Sequence, residues 1–283
     1  MVALDGQVAL VTGASRGIGK GIALALAAVG ATVYITGRTT EPGALVDGLG
    51  GTVFETAEAV EAAGGLCIPL PCDHRDDAQV DAVFAHLLEE TGGLNILVNN
   101  IWGGYQYMVE QRGDEWVFSW EKPFWDQPRW RWDAMFAAGV RAHFISSQLA
   151  AAQMVQQRQG LIVTISFWAG QKYLANVPYG VAKAADDRMV ADMARELEPY
   201  NVATISLYPG LVRTEAVMRA AEHFNLTNSE SPQFSGRAIA ALAADPNVMA
   251  KSGQVLVAAA LAKEYGFTDI DGKTPRPLTL EEA

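Results

Sequence analysis

The chain has 283 residues, half of them hydrophobic and 19% charged, with a net charge of −11 at neutral pH. That is apolar material for one large domain or two ordinary ones, and the acidic balance argues against a nucleic-acid binder and against attraction to an anionic membrane. Two cysteines, Cys67 and Cys72, are too few for a disulfide framework and read as reduced structural thiols.

The start, "MVALDGQVALVTG", carries Asp5 and no basic stretch, so it does not read as a signal peptide. No apolar run approaches the roughly 20 residues that span a bilayer, and a cytoplasmic protein is expected. No two of His74, His86, His143 and His223 stand at metal-ligand spacing, so no metal is expected.

The first half alternates between two periods. "QVALVTG" (7–13) is a short apolar run and "GIGKGIALALAAVGA" (17–31) a helix. "TVYITG" (32–37) is β-branched, "TVFETAEAVEAAGG" (52–65) reads as a helix stopped by glycines, and "LCIPLPCD" (66–73) is extended. "DDAQVDAVFAHLLEETGG" (76–93) is a helix with an acidic start, and "LNILVNN" (94–100) a buried strand. After an aromatic stretch the pattern resumes: helix 133–160, strand 161–166, helix 178–200, strand 202–210, helix 231–246 and strand 253–258. About seven apolar strands alternating with helices predict an α/β fold, a doubly wound parallel sheet covered on both faces. Nothing breaks the composition, so residues 1–283 read as one domain with an insertion at about 102–132. Residues from about 259 to 283, with the Pro-rich polar "TDIDGKTPRPLTLEEA", read as an arm or a loosely held tail.

"VTGASRGIG" follows the first strand and opens the first helix. Gly13, Gly17 and Gly19, with Ser15, Arg16 and Ile18 between them, allow a tight turn and present helix N–H groups to a pyrophosphate. An acid at the end of the second strand would bind the ribose 2′-hydroxyl of NAD. Here Gly37 and Arg38 stand there, and with Arg16 they favour the 2′-phosphate of NADP(H). Tyr179 and Lys183, four apart, share one helix face. A nearby ammonium and a cationic nicotinamide ring would lower the tyrosine pKa and let it exchange a proton with a carbonyl or alcohol. Ser166, thirteen residues earlier at a strand end, can hydrogen-bond the same oxygen.

The G-x-x-x-G-x-G spacing after Thr12, the serine and the Y-x-x-x-K pair together resemble the short-chain dehydrogenase/reductase family over residues 5 to about 257. The resemblance implies a Rossmann fold, with Ser166 orienting the substrate oxygen, Tyr179 as acid/base, and Lys183 tuning Tyr179 and binding the nicotinamide ribose. It implies that Asp73 and Asn100 contact the cofactor, and that Pro209, Gly210, Val212 and Thr214 in "YPGLVRT" line the nicotinamide and phosphates. A homodimer or homotetramer and a small-molecule carbonyl or alcohol substrate are expected on the same ground. "NVPYGVAKAA" and "GVRAHF" point to one animal subgroup. Two departures stand out: Asn99-Asn100-Ile101-Trp102 replaces the usual Asn-Asn-Ala-Gly, and Gly139 replaces the helix asparagine that holds a relay water.

Six of the seven tryptophans lie in residues 102–132, among Glu110, Arg112, Asp114, Glu115, Glu121, Lys122, Asp126, Arg129 and Arg131. Five acids against four bases do not make a cationic stacking groove. The stretch begins beside the nicotinamide, so a substrate wall is the leading reading, with Trp102, Trp168 and Tyr173 lining the pocket. A self-packed loop and an oligomer contact remain alternatives. The sequence thus points to NADPH-dependent carbonyl reduction, or its reverse, on a small apolar molecule. A catalytically weak nucleotide-sensing protein is the alternative.

Overall fold

The computed structural model describes residues 3–44, 48–105, 108–112 and 115–283, with the side chains of 109–112 and 115–117 left aside. Asp114 lies outside the described residues.

The apolar runs form seven strands: β1 (Val8–Val11), β2 (Thr32–Gly37), β3 (Leu66–Pro71), β4 (Ile96–Asn99), β7 (Gly160–Ile165), β8 (Val202–Tyr208) and β9 (Val255–Val257). They lie in one parallel sheet, in the order β3-β2-β1-β4-β7-β8-β9. Two further strands, β5 (Val109–Arg112) and β6 (Glu115–Phe118), form a separate antiparallel hairpin.

Alternating strand side chains feed two cores. Ala9, Val11, Val33, Ile35, Ile96 and Val98 face the layer of α1 (Gly17–Ala27), α8 (Pro232–Ala244) and α9 (Ala258–Tyr265). Leu10, Tyr34, Leu97 and Ile162 face α3 (Asp77–Thr91) and α5 (Ala142–Gln157). The central strands β1, β2, β4, β7 and β8 are buried on both sides, which is why their sequences run apolar without alternation.

Local signals set the helix ends. Thr52 and Glu55 form a reciprocal capping box at the start of α2 (Val53–Ala62). Asp76 caps α3, which stops at left-handed Gly92. Asn176 caps α6 (Val177–Leu197), with Pro178 in its first turn. Helices α1 and α8 pack closely. A Cβ at Gly21 would lie 2.2 Å from the Pro232 carbonyl carbon, and one at Gly236 2.8 Å from Ile22 Cα. Those two glycines let the backbones meet.

Two expectations change. The helix expected over 133–160 begins earlier, as α4 (Arg129–Met135), inside the stretch assigned to the insertion. It then widens to a π-helical turn over Phe136–Arg141, with Ala138 at φ −102° and ψ 31°, before α5 continues. The C-terminal arm is partly ordered core. Ala258, Ala259, Leu261 and Ala262 of α9 are buried, and buried Asp269 accepts from Ser231 N at 2.7 Å and from Arg213 at 3.2 Å. Among the described residues, no helix is long and apolar enough to cross a membrane. Cys67 and Cys72 are free and buried, and burial pushes both thiols up to about 12.

Candidate active site

The strand order reverses at β1, whose neighbours are β2 and β4. That places the crevice for a ligand beyond the carboxyl ends of these strands. The glycine loop lies there. Gly13 and Gly17 have φ of +68° and +58°, backbone that L side chains rarely adopt. Thr12 Oγ1 donates to the Val98 carbonyl at 3.0 Å and accepts from Asn100 N at 3.0 Å. Asn100 Nδ2 donates to the carbonyls of Thr12 and Gly13 at 3.0 and 2.9 Å. Asn100 therefore braces the loop from β4. A Cβ at Gly19 would sit 2.5 Å from that amide nitrogen.

An anion already occupies the helix start. Gly17 N donates to Glu215 Oε2 at 3.0 Å, at the positive end of α1. Glu215 opens α7 (Glu215–Arg219), and Thr214 Oγ1 caps that helix. The loop's N–H thus holds a carboxylate, and an anionic phosphate has the same chemistry to offer it. The sequence analysis missed Glu215, for it carries no local motif. Ser15 and Ile18 are half-buried in the loop. Arg38 is exposed at the end of β2, whereas Arg16 Nη1 donates to the Leu49 and Gly50 carbonyls at 2.7 and 3.1 Å. Asp73 takes a forked ion pair from Arg75, with contacts of 3.0 and 2.5 Å. That hydrogen bonding holds its carboxyl below the usual range despite partial burial. Beyond β8, Pro209 and Val212 are buried, and Gly210 N donates to Glu230 Oε2 at 2.9 Å.

The second cluster centres on Tyr179, Lys183 and Ser166, which are 5%, 5% and 2% exposed. Ser166 lies just past β7, and its Oγ donates to the Lys183 carbonyl at 3.4 Å. Lys183 Nζ donates to the Ile165 carbonyl at 3.0 Å and to Asp186 Oδ2 at 3.5 Å. The face of Trp102 lies 4.1 Å from the same ammonium. Lys183 is thus aimed at Ile165 and Asp186. Burial, with Tyr105 and Tyr208 adding to it, pushes the Tyr179 hydroxyl well above its usual value. Desolvation is the main cause, and the Lys183 ammonium donates its hydrogen bonds elsewhere.

The aromatic stretch covers Tyr179. The rings of Trp102, Trp120 and Tyr105 stand 5.7, 5.4 and 6.1 Å from it, with Phe167 at 6.4 Å. Tyr105 is half exposed, but its hydroxyl is inside, 3.0 Å from Tyr179 Oη. Asn176 ties cover to helix, donating to the Trp120 carbonyl at 3.0 Å while accepting from Tyr179 N at 2.9 Å. Within the insertion, fully buried Arg131 donates to Ser119 O and Ser119 Oγ, each at 2.8 Å, and to Gln127. Its guanidinium faces Trp120 at 5.5 Å and Trp130 at 5.0 Å. The stretch packs on itself around Arg131 and walls Tyr179 with its inner rings.

Of the expected pocket residues, only Trp102 joins this wall. Trp168 is buried against Tyr208, ring centroids 5.2 Å apart, and Tyr173 is 71% exposed with its hydroxyl on the Ala175 carbonyl. Tyr105, Trp120 and Phe167 escaped the sequence analysis, because ring placement depends on how segments distant in the chain pack together. The two sequence departures meet in space. A Cβ on Gly139 would lie 3.0 Å from Trp102 Cε3 and Cζ3. The indole fills the room that a side chain at position 139 would take. Among the described residues, no three His, Cys, Asp or Glu side chains gather as metal ligands would.

Comparison with known proteins agrees with this architecture. The short chain dehydrogenase family profile matches residues 7–225. Dehydrogenase/reductase SDR family member 1 of Mus musculus is 41% identical over 95% of this chain and 85% of its own length, in line with the subgroup motifs. A short chain dehydrogenase structure from Mycobacterium thermoresistibile superposes with a TM-score of 0.78 at 27% identity, covering 98% of this chain and 94% of that one. A 7α-hydroxysteroid dehydrogenase solved with NADH and 7-oxo glycochenodeoxycholic acid gives 0.73 at 27% identity, covering 90% and 94%. A sheet that reverses order at an anion-holding glycine loop, beside a buried serine, tyrosine and lysine, joins these matches in one conclusion: the chain belongs to the short-chain dehydrogenase/reductase family of oxidoreductases.

Proposed function

We propose that the protein reduces a carbonyl group on a small, apolar molecule with NADPH, or runs the reverse oxidation. The observation that carries this reading is the burial of Tyr179, Ser166 and Lys183 together under an aromatic wall at the strand ends. A bound nicotinamide nucleotide supplies the hydride. Ser166 orients and polarises the substrate oxygen, and Tyr179 gives that oxygen its proton. Burial of Tyr179 favours the protonated phenol, which suits an acid in the reducing direction. Lys183 supplies positive charge behind the oxygen and binds the nicotinamide ribose. Tyr105 Oη, at 3.0 Å from Tyr179 Oη, stands where a substrate oxygen must sit, so Tyr105 moves aside on binding.

Gly13, Ser15, Arg16, Gly17, Ile18 and Gly19 would cradle the phosphates, with Asp73, Asn100, Pro209, Gly210, Val212 and Thr214 completing the nucleotide site. Exposed Arg38, at the position where an acid would select NAD, supports NADPH. Arg16 supports it less, since its guanidinium already serves two carbonyls. Trp102, Tyr105 and Trp120 form the apolar wall; Trp168 and Tyr173 contribute only from further off. Exposed Phe144, Val181 and Trp132 support assembly as a homodimer or homotetramer, and the free thiols suit a cytoplasmic setting.

The test is nucleotide oxidation across a panel of aldehydes, ketones and quinones, with NADPH and NADH compared. Turnover that vanishes in Tyr179→Phe supports the reading. Tight NADPH binding with no turnover on any substrate would favour the nucleotide-sensing alternative instead.

A further inference from the structure

The helix position that ordinarily carries a relay asparagine is Gly139, and Trp102 covers it. Something else must stand behind Lys183. Its ammonium is buried, and burial lowers its pKa, an effect that Asp186 opposes. Among the described residues, the polar groups on Lys183 Nζ are the Ile165 carbonyl and the Asp186 carboxylate. Only the second carries charge.

Asp186 does not act alone. It is wholly buried, and its other oxygen, Oδ1, lies 2.9 Å from Nδ1 of His143, itself 1% exposed. His143 Nε2 lies 2.8 Å from the carbonyl of Ile101. That carbonyl and the Asp186 carboxylate both only accept, so His143 bridges them as a donor from both ring nitrogens. Burial pushes the Asp186 carboxyl up, but the His143 and Lys183 charges and hydrogen bonds outweigh it and hold the group below its usual range. A line of buried groups therefore runs from Lys183 through Asp186 and His143 to the residue that precedes Trp102. Around it stand Tyr179 and Asp187 on α6, Tyr208 on β8, and His74 after β3.

We infer that Asp186, held in place by His143, is the positioning residue that keeps Lys183 charged and aimed in the reaction site, in place of an asparagine-bound water. The inference rests on the oxidoreductase reading for its consequence in turnover, but not for its charge effect. Asp186→Asn removes the anion and keeps the shape. Lys183 then holds its proton less well, because a buried ammonium without a counter-ion favours the neutral form. His143 works only through Asp186, so adding His143→Gln to Asp186→Asn changes nothing further.

Two readouts separate the inference from the proposed function. The first needs no substrate. Lysine labelled with 13C at Cε, with Lys183 identified by loss of its signal in Lys183→Arg, reports the titration of that amine by NMR. Asp186→Asn should lower its midpoint by about one pH unit or more, and Asp186→Glu should restore most of the shift. Asp186→Ser, small and neutral, gives the same test if the amide variant does not fold. The second is the pH profile of kcat with NADPH and any carbonyl the wild type turns over. Asp186→Asn should lose about tenfold at pH 9 and much less at pH 6, with little change in KM. A merely structural role would lower kcat equally at all pH values. An unmoved Lys183 midpoint in both neutral variants overturns the inference, whatever the turnover. A wild type inactive on every carbonyl, but with the midpoint shifted as expected, overturns the proposed function and leaves the inference standing.

Discussion

Gly139→Ala should destabilise the protein only while Trp102 is present. The new methyl would meet two indole carbons at 3.0 Å, a few tenths of an ångström inside ordinary contact. Crowding of this kind in a packed site costs about 1–3 kcal/mol. Against it stands a helix gain of about 1 kcal/mol for replacing glycine by alanine. That gain is smaller here, because the backbone at this turn is π-helical. The net loss in the wild-type background is then about 1–2 kcal/mol. Trp102→Ala loses more, roughly 3 kcal/mol for a half-buried indole, together with its cation–π contact to Lys183. In the double variant the alanine has nothing to strike and only its helix gain remains. The cycle should therefore show a favourable coupling of about 1–3 kcal/mol. Thermal unfolding of the four proteins reads it, at roughly 2 °C per kcal/mol for a chain of this size. Additive melting shifts, within a degree, would refute the view that the two sequence departures are one packing arrangement.

Three further outcomes follow from other parts of the molecule. Tyr105→Phe removes a hydroxyl whose charge and hydrogen bond raise the Tyr179 pKa. In kcat/KM for alcohol oxidation, which reports the free enzyme and needs the phenolate, activity should then rise at a lower pH than in the wild type; an unmoved rising limb contradicts the contact. Arg38→Glu places an acid at the end of β2, so NADPH should bind at least about tenfold more weakly while NADH does not, measured by nucleotide fluorescence. Burial raises the Glu230 carboxyl to about 7. The folded state then binds more protons than the unfolded one between its ordinary value near 4.5 and 7, and stability falls as pH rises through that window. Glu230→Gln should therefore raise the melting temperature at pH 8, by an amount worth about 1–3 kcal/mol, and leave it nearly unchanged at pH 4. Equal shifts at the two pH values would count against it.

Much of the fold was legible because it rests on local rules. The strands are continuous apolar runs, the glycine turn needs particular φ values, and Thr52, Asp76 and Asn176 cap their own helices. Tyr179 and Lys183 share a helix face by spacing alone. Arg38 at the end of β2 follows from strand length. Trp168 and Tyr173 were misplaced because closeness to Ser166 along the chain says nothing about which way a ring turns after a strand. The start of α4 at Arg129 was hidden because Pro128 and the surrounding tryptophans have no helical period of their own.

The sequence by itself determined the parallel sheet, the glycine turn and the group proposed to react, since each depends on residues near one another in the chain. Tertiary structure alone decided what surrounds that group. It set the Trp102 indole against Gly139, Tyr105 against Tyr179 Oη, and Asp186 against His143. It also folded the tryptophan-rich stretch around Arg131. These contacts join residues as much as 74 positions apart. No periodicity encodes them. They exist because a closed, desolvated space must be filled and its charges paired, and the sequence lists the groups available without stating which of them meet.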